Sequence, residues 1–479
     1  MPPQDRHPDA STFPDWSREV GTGLYPALVP GAPVELPVYG FVLVVIPAHN
    51  EGERIGATLR SLREQTRHAD AVIVVADNCS DDTVSLALAE GVTVIETSGN
   101  TDRKAGALNQ ALEALLPKLD PDDVILLMDA DTRLNPNFID RVTRTLWDDH
   151  ASRELGGVGG VFMCDMNGWS LIQQLQKNEY VRYARKLGRR HGRALVLTGT
   201  GSILRVRVLR EVIAARQSGV LPDDGLSRSV YDIEALTEDN ELTLAVKALG
   251  YRVLSPKDCQ VFTALMPTYS FLYQQRRRWQ RGAMENLISH GLHSYTAPYI
   301  SKQVASYVAI MFLPFYVATL TTEIVRHGDH GLFPWFWVAV AVLYIVEQTW
   351  SVRRGGWRGV LITLLVVPEI IYSIFLDAVF LASLLGVLVS RREQWGRGID
   401  EESTDELALH LTVVSPKKPN TTDISHVVSR CAAAAALMFT VSIPIIPVFN
   451  LPTAWFLIAV FVLTGSVNTV IRLIPWSER

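Results

Sequence analysis

The pattern of apolar and polar residues divides the chain into two parts with different periods. In residues 38–265, short continuous apolar runs such as FVLVVIPA, AVIVVA and DVILLM alternate with amphipathic segments such as GERIGATLRSLREQ. Continuous apolar runs of this length predict strands buried on both faces, and the amphipathic segments predict the helices that cover them. The first part therefore predicts an α/β domain with a mainly parallel sheet, whose ligands bind beyond the carboxyl ends of the strands.

The second part, residues 301–479, contains apolar segments of about 20 residues, the length that spans a bilayer as a helix. We expect membrane spans at about 304–325, 331–350, 431–449 and 451–470. Another apolar stretch, 360–390, is flanked by the basic sequences SVRRGGWRG and RREQWGRG. Because basic flanks favour the cytoplasmic side, this stretch predicts an interfacial or re-entrant helix pair broken near Pro368, with a single long crossing as the alternative.

The remaining segments complete the predicted organisation. Residues 1–37 are polar and rich in proline, which predicts a flexible lead-in rather than a signal peptide or a spanning helix. The α/β domain is therefore expected in the cytoplasm, as part of a multi-pass protein of the cell membrane. Residues 266–300 predict amphipathic helices at the membrane interface, and 391–428 predict a cytoplasmic loop.

Composition and charge change this picture little. The formal net charge of −5 gives no indication of a nucleic-acid partner, and 48% hydrophobic residues agree with a membrane part. The cysteines are scattered without a CxxC pair, which suits a reducing compartment and does not support a zinc site. They are Cys79, Cys164, Cys259 and Cys431.

Two aspartates, Asp129 and Asp131, end the predicted strand DVILLMDAD. Two carboxylates at one strand end can bind Mg²⁺ or Mn²⁺, and the cation would offset charge on a leaving diphosphate. Two solvated aspartates in a loop are the alternative, because DxD is a short and frequent pattern.

Other polar residues follow neighbouring strands. Asp77 ends the strand AVIVVAD and is either a base- or ribose-binding carboxylate or a turn residue. For Asp81 and Asp82, the helix N-cap interpretation is preferred. Lys104 precedes a predicted helix and either reaches a phosphate or is a surface lysine.

The stretch TEDNELT, Thr237–Thr243, places Glu238, Asp239 and Glu241 ahead of an apolar helical pattern. One acid can cap the helix while the others lie in a solvated first turn. Alternatively, one acid is a general base that removes a proton from an acceptor hydroxyl.

The stretch QQRRRW precedes the apolar second part. Gln275, Arg278 and Trp279 are spaced i, i+3 and i+4, so they share one face of a helix. Arg278 can clamp a phosphate and Trp279 can offer a flat surface to a sugar ring. Arg277 and Arg281 point elsewhere and are predicted to contact anionic lipid headgroups, as a membrane flank would.

Taken in order, PAHNE, VVADNCSDDT, RKAGALN, MDAD, TGTGSILR, TEDNELT and QQRRRW resemble the processive family-2 glycosyltransferases. These motifs cover roughly residues 41–282 and are similar to those of cellulose, chitin, hyaluronan and poly-N-acetylglucosamine synthases. The resemblance implies a GT-A type, Rossmann-like cytoplasmic domain followed by a bundle of transmembrane and interfacial helices. It also implies inverting transfer from a nucleotide-sugar, UDP-linked, to a hydroxyl acceptor, giving a β-linked polysaccharide or glycan.

The resemblance assigns residues to roles. Asp239 becomes the catalytic base, and Asp129 and Asp131 become the metal site for Mg²⁺ or Mn²⁺. The donor nucleotide-sugar is expected to contact Pro47, His49, Glu51, Asp77, Lys104, Asp129 and Arg278. The acceptor is expected to contact Gly199, Thr200, Gly201, Glu238, Gln275 and Trp279. A gating-like motif is expected at Trp395 and Arg397, although REQWGRG lacks the threonine usual in relatives.

Alternatives to a membrane polymerase follow from the same residues. Single-step transfer to a lipid carrier or glycolipid needs the same site, and membrane lipids are expected partners in either case. A nucleotidyltransferase would show a glycine-rich loop after the first strand, and PAHNEGERIG has none of that type. A nucleotide-binding transporter or sensor would have no need of a base at Asp239.

Overall fold

The computed structural model describes residues 40–148, 154–164, 170–222, 229–310 and 333–389. Contacts divide the chain into two units, Met1–Thr296 with Gln348–Glu393 and Ala297–Glu347 with Gln394–Arg479. Several predicted features lie outside the described residues: segment 1–37, spans 431–449 and 451–470, loop 391–428, and Trp395 and Arg397. Of the predicted span 304–325, residues 304–310 are described and helical.

The apolar runs of the first part form the predicted strands. In chain order these are β1 (Val42–Ala48), β2 (Ala71–Ala76), β3 (Thr93–Glu96), β4 (Val124–Leu127), β5 (Arg133–Leu134), β6 (Leu155–Gly159), β7 (Val161–Cys164), β8 (Ser202–Arg205), β9 (Arg252–Leu254) and β10 (Gln260–Thr263). The α/β class predicted from the sequence is confirmed, and the fold is GT-A-like.

The larger sheet is mixed, and most of its strand pairings are parallel, as the sequence predicted. Its strand order is β3-β2-β1-β4-β8-β6-β9, and a smaller sheet has the order β5-β10-β7. Strand β1 pairs in parallel with both β2 and β4, with Val44 opposite Val72 and Leu126. Strand β8 runs antiparallel to both of its neighbours, β4 and β6. The parallel strands β2, β1 and β4 therefore end at one common edge.

The core lies on both faces of this sheet. Along β1, Val42, Val44 and Ile46 pack into one apolar cluster, while Leu43 and Val45 pack into the other. This alternation follows from the side-chain period of a strand, and it explains why the run is apolar at every position. The sheet is thereby held rigidly between helices, which fixes the positions of the loops at its edge.

Most helices of the first part lie on one face or the other of the larger sheet, whereas the fifth and the eighth pack together with the helices that follow. They are α1 (Gly52–Arg63), α2 (Thr83–Ala89), α3 (Arg103–Leu115), α4 (Phe138–Asp148), α5 (Leu171–Arg189), α6 (Val206–Gln217), α7 (Glu238–Ala248) and α8 (Tyr269–His290). Helix α7 begins within TEDNELT and packs against α8, which carries QQRRRW. Two motifs that are distant in sequence are thus brought onto adjacent helices.

After the helical residues 297–310, the described part of the chain contains α9 (Phe333–Val352), α10 (Trp357–Leu365) and α11 (Val367–Leu388). Helices α10 and α11 occupy the predicted 360–390 stretch and are separated at Val366, which has a φ of 61°. Helix α11 packs against α8, while its other side exposes apolar side chains, including Val367, Ile370, Ile371 and Ile374.

Within the described part of the chain, α11 is the one helix long and apolar enough to cross a membrane. Its most apolar 18-residue window has a mean hydropathy of 2.2. A bundle of several such helices is therefore not present among the described residues, and the predicted spans stay predictions.

Candidate functional site

The carboxyl ends of β1, β2 and β4 carry Pro47, Asp77 and the Asp129–Asp131 pair on one edge of the sheet. The His49 imidazole Nδ1 lies 2.6 Å from the backbone oxygen of Asp77, which ties the first two loops together. Pro47 itself lies in β1 and lines a cavity that also reaches Lys104 and Asp239.

Asp77 is buried, and its Oδ1 atom accepts three hydrogen bonds. The donors are the side chains of Asn78 at 3.1 Å, Thr97 at 2.7 Å and Asn100 at 2.8 Å. Among the described residues, Oδ2 accepts no hydrogen bond, so one oxygen of this carboxylate is available to a donor group of a ligand. Sequence reasoning missed Thr97 and Asn100, which follow the next strand and carry no motif of their own.

Lys104 joins two parts of the site that are far apart in sequence. Its Nζ atom lies 2.6 Å from Asp129 Oδ1 and 2.9 Å from Glu238 Oε1. Burial lowers the pKa of Lys104, but the carboxylates of Asp129 and Glu238 outweigh it and hold the pKa well above its usual value. Lys104 lies in the first turn of α3, and the surface-lysine interpretation is wrong.

Glu238 and Asp239 are adjacent acids in the first turn of α7 whose environments differ. Burial opposes ionisation of both, but the Lys104 ammonium outweighs it at Glu238 and lowers that pKa. The positive charge of Arg278 lowers the pKa of Glu238 further. Burial, and then the Glu238 charge, raise the pKa of Asp239 to about 6. One ionised acid therefore lies beside another that titrates near neutrality, an arrangement common at catalytic sites.

The Asp239 carboxylate is held by backbone donors on both oxygens. Gly199 N–H donates to Oδ2 at 2.8 Å, and Asn240 N–H donates to Oδ1 at 2.8 Å. A Cβ atom at Gly199 would lie 3.2 Å from both Asp239 Oδ2 and Lys104 Nζ, which is tighter than ordinary packing. Glycine at this position thus permits the loop to approach both charged groups.

Hydrogen bonds within the loop around Gly199, and from a neighbouring segment, hold this loop in place. The hydroxyls of Thr198 and Thr200 lie 2.7 Å apart, and Gly201 accepts a hydrogen bond from Gly160 N–H at 2.7 Å through its carbonyl oxygen. The predicted acceptor residues Gly199, Thr200 and Gly201 therefore lie together, with Gly199 next to Asp239.

A divalent cation fits the acidic edge of the sheet. Burial first, and then the negative charge of Asp129, raise the pKa of Asp131. Burial first, and then Asp131, raise the pKa of Glu51 to about 7. Mutual repulsion among carboxylates is what a cation relieves. The described residues contain no set of three His, Cys, Asp or Glu ready to hold a metal. Mg²⁺ takes one or two carboxylates and completes its shell with phosphate oxygens and water, so Asp129 and Asp131 are sufficient protein ligands for it.

The helix α8 motif makes two contacts that the sequence did not predict. The Trp279 ring stacks on Phe162, with centroids 6.2 Å apart, and the Arg276 guanidinium lies over the same ring at 4.6 Å. Gln275 has a buried Oε1 atom without a hydrogen-bond partner among the described residues. Sequence reasoning missed Arg276, although its spacing of three residues from Trp279 was a usable signal.

Arg276 is bound on its other side by α5. It is buried and pairs with Glu179 at 3.0 Å, and Glu179 also accepts a hydrogen bond from the Tyr372 hydroxyl at 2.7 Å. The prediction of lipid contact is wrong for Arg281, which is 3% exposed and donates from Nε to Glu285 at 2.6 Å. Glu285 is four residues further along the helix, where it neutralises the charge that a lipid phosphate was expected to meet.

The third acid of TEDNELT is structural. Glu241 is buried between Arg216 at 2.5 Å and His290 Nε2 at 3.1 Å, so it joins α7 to α6 and α8. The alternative of a solvated first turn is wrong for this residue.

Among the N-cap aspartates, Asp82 occupies the cap of α2 without a side-chain cap bond, whereas Asp81 accepts hydrogen bonds from Thr83 N–H and Gly52 N–H.

Comparison with known proteins matches residues 39–282 to the family model described as "Glycosyltransferase like family 2". The uncharacterized glycosyltransferase YaiP of Escherichia coli K12 is 24% identical over 328 residues, which cover 66% of this chain and 76% of that protein.

Two solved structures are also similar. The mannosyltransferase PcManGT from Pyrobaculum calidifontis, in complex with GDP-Man and Mn²⁺, is 17% identical with a TM-score of 0.46 and covers 74% of this chain and 89% of its own. Glucosyl-3-phosphoglycerate synthase from Mycobacterium tuberculosis, with Mn²⁺, UDP and phosphoglyceric acid, is 17% identical with a TM-score of 0.33 and covers 52% of this chain and 78% of its own.

Proposed function

The chain belongs to the glycosyltransferase-like family 2, whose members are nucleotide-sugar transferases, and from that premise we propose a specific reaction. The protein transfers a sugar from a UDP-sugar to a hydroxyl acceptor, with inversion at the anomeric carbon. The observation that carries this proposal is the Lys104 ammonium, which contacts Asp129 and Glu238 at once. Lys104 thereby connects the proposed metal and diphosphate site at Asp129 with Glu238, the neighbour of the proposed base Asp239.

The donor is proposed to bind across the ends of β1, β2 and β4. The free Oδ2 of Asp77 can accept from the base or ribose, beside Pro47 and His49. Glu51 lies near Asp131, at the side where the diphosphate would bind. Lys104 and Arg278 supply positive charge for the diphosphate, which supports the choice of a nucleoside-diphosphate sugar over a neutral ligand.

The metal is proposed to be Mg²⁺ or Mn²⁺, held by Asp129 and Asp131. A bound divalent cation supplies positive charge that offsets the charge developing on the leaving diphosphate. Lys104 already neutralises one oxygen of Asp129, so Asp131 is the carboxylate with the larger share of uncompensated charge.

Asp239 is proposed to be the general base. Its carboxylate takes the proton of the acceptor hydroxyl while the acceptor oxygen forms a bond to the anomeric carbon. The bond from that carbon to the diphosphate oxygen breaks in the same step, and UDP leaves with the electron pair. A single displacement inverts the anomeric centre, so an α-linked donor gives a β-linked product.

The acceptor is proposed to enter past the loop of Gly199, Thr200 and Gly201. Glu238 lies beside the base, and the Gln275 amide and the Trp279 ring are proposed to offer a polar contact and a flat surface to a sugar. Part of the Trp279 surface is already occupied by Phe162 and Arg276, so the sugar would contact what remains of the ring.

The reaction is proposed to take place at the cytoplasmic face of the cell membrane, in a multi-pass protein. The exposed apolar side of α10 and α11 supports contact with membrane lipids, because an exposed surface of this kind is unfavourable in water. The product is proposed to be a β-linked polysaccharide or glycan, and transfer of one residue to a lipid carrier is the alternative.

A donor panel tests the activity. The full chain in its membrane is incubated with UDP-, GDP- and dTDP-sugars and Mn²⁺ or Mg²⁺, and nucleotide release is measured. We expect release from a UDP-sugar, and at least a hundredfold loss in Lys104→Met, with exposed Lys118→Met as the matched control. Preference for GDP- or dTDP-sugars would overturn the donor assignment. A labelled product of one residue would overturn polymer synthesis and support the lipid-carrier reaction.

A further inference from the structure

Helix α7 carries polar side chains at positions i, i+4 and i+8, which lie on one face of the helix. These are Asp239, Thr243 and Lys247, and all three contact the same piece of backbone, residues 194–199. The face continues from the proposed base along the whole helix, away from the diphosphate side of the site.

The three side chains contact residues 194–199 one after another along the segment. Asp239 Oδ2 accepts from Gly199 N–H at 2.8 Å, and Thr243 Oγ1 accepts from Leu197 N–H at 3.0 Å. Lys247 Nζ donates to the carbonyl oxygens of Leu195 at 2.6 Å and Ala194 at 3.0 Å. Successive turns of the helix therefore bind successive parts of the segment.

Segment 194–199 has no helix or strand of its own. Its buried backbone groups need partners, and α7 supplies them. Thr243 is 1% exposed and donates its own proton to the Asp239 carbonyl oxygen at 2.8 Å, so its oxygen lone pairs are left for Leu197. The Thr243 hydroxyl therefore donates one hydrogen bond and accepts another within the protein.

Lys247 is also committed to this backbone. No carboxylate pairs with it among the described residues, and its Nζ atom binds only the two carbonyl oxygens. Burial lowers the pKa of Lys247 to about 8, because an ammonium held away from water loses part of its hydration. A lysine left in such surroundings has a positional role rather than a general surface role.

We propose that Thr243 and Lys247 are positioning residues that hold the acceptor loop, Gly199–Gly201, against the proposed base Asp239. They act through the backbone of 194–199. This inference rests on the proposed function, because it assigns the acceptor to that loop. It predicts that the two residues govern use of the acceptor and leave donor binding unchanged.

Thr243→Val tests the proposal, since valine keeps the shape and removes the hydroxyl. Leu197 N–H then loses its acceptor in a buried position, and we expect the KM for acceptor to rise about tenfold or more. The KM for donor, and nucleotide release without acceptor, should change less than about twofold. Thr243→Ser restores the hydroxyl and should return the acceptor KM to within about twofold of the wild type.

The matched control is Thr143→Val. Thr143 is 0% exposed, and its hydroxyl donates only to carbonyl oxygens of its own helix α4, at Ile139 and Asp140. We expect a lower melting temperature with both KM values unchanged. Lys247→Met should raise the acceptor KM as Thr243→Val does, and Lys247→Arg should recover part of the loss.

The results distinguish a failure of the positioning proposal from a failure of the proposed function. If the wild type is active and Thr243→Val changes both KM values alike, or neither, the positioning proposal is overturned while the proposed function stands. The same holds if Thr143→Val raises the acceptor KM equally. If the wild type releases no nucleotide from any nucleotide-sugar, the proposed function fails and the positioning proposal fails with it.

Discussion

The Arg276 guanidinium lies 4.6 Å from the centre of the Trp279 ring, three residues along the same helix. Arg276 also pairs with Glu179 at 3.0 Å, and Glu179 accepts a hydrogen bond from Tyr372 of α11. The tryptophan proposed to bind the acceptor is therefore joined, through one arginine and one carboxylate, to the most apolar helix of the described chain.

Replacing Arg276 with Met should weaken acceptor binding. Arg276 fixes the Trp279 ring through a cation–π contact of about 1–2 kcal/mol, so its loss should raise the acceptor KM about five- to thirtyfold. Kinetics with varied acceptor at saturating donor measure this. Arg277→Met is the control, because Arg277 lies over Tyr273 at 6.0 Å instead. Equal KM values for the two variants would contradict the link.

Transfer should depend on the protonation of Asp239. Its pKa is about 6, and a base must be ionised, so kcat should rise with pH through about 6. Asp239→Asn should lower kcat by about 10²–10⁴-fold while UDP-sugar still binds. A pH–rate profile of the wild type, with binding measured by calorimetry for the variant, gives both quantities. A rate independent of pH between 5 and 8 would remove the assignment.

The same group should appear in the pH dependence of stability. The folded pKa of about 6 lies above the ordinary value of 3.8, so the folded protein binds this proton more tightly than the unfolded chain does. The stabilising contribution is complete below about pH 3.8 and is lost as pH rises through about 6. The melting temperature of Asp239→Asn, relative to the wild type, should therefore rise between pH 4 and pH 8. A constant difference would mean that burial does not perturb Asp239.

Metal removal should abolish transfer, and Asp131 should set the metal requirement. We expect EDTA to stop nucleotide release and Mn²⁺ or Mg²⁺ to restore it. Asp131→Asn removes a carboxylate from the proposed ligand set and should raise the Mn²⁺ concentration for half-maximal activity at least about tenfold. Asp140→Asn is the control, since Asp140 pairs with Arg144 on the surface of α4. Unchanged Mn²⁺ titration in Asp131→Asn would place the ion elsewhere.

Glu241→Gln should destabilise the fold. The change leaves Arg216, which is 1% exposed, without its charged partner, and breaking a buried pair costs about 3–5 kcal/mol. Chemical denaturation monitored by tryptophan fluorescence should show a lower midpoint. Glu211→Gln, at an exposed carboxylate bonded to Tyr251, should change the free energy of unfolding by about 0.5 kcal/mol or less. Equal midpoints for the two variants would deny Glu241 its structural role.

Much of the α/β domain could be predicted from the pattern of apolar and polar residues alone. The apolar run of β1 and the amphipathic pattern of α1 are local, so their elements could be predicted from neighbouring residues. The grouping of Asp77 with Asp129 was also accessible, because parallel strands end at a common edge. The antiparallel direction of β8 could not be predicted, because a short buried apolar run has the same residue pattern in a parallel and in an antiparallel strand.

The roles of individual charges were less accessible. The sequence left Lys104 open between a phosphate-binding lysine and a surface lysine, and it left Glu241 open among a helix cap, a solvated acid and a general base. Their partners, Glu238 for the first and Arg216 and His290 for the second, come from distant helices. Local periodicity reports which face of a helix is buried but not which charged group it meets there.

The order and spacing of residues by itself determined an α/β domain, the acidic strand ends and the helix that presents Gln275, Arg278 and Trp279. Only the tertiary structure decided that Lys104 joins Asp129 to Glu238, that Arg276 rather than solvent lies over Trp279, and that Arg281 is buried against Glu285. The reason is physical. Backbone periodicity is set by neighbours in the chain, whereas the energy of a charge depends on burial and on which opposite charge the fold brings within about 3 Å.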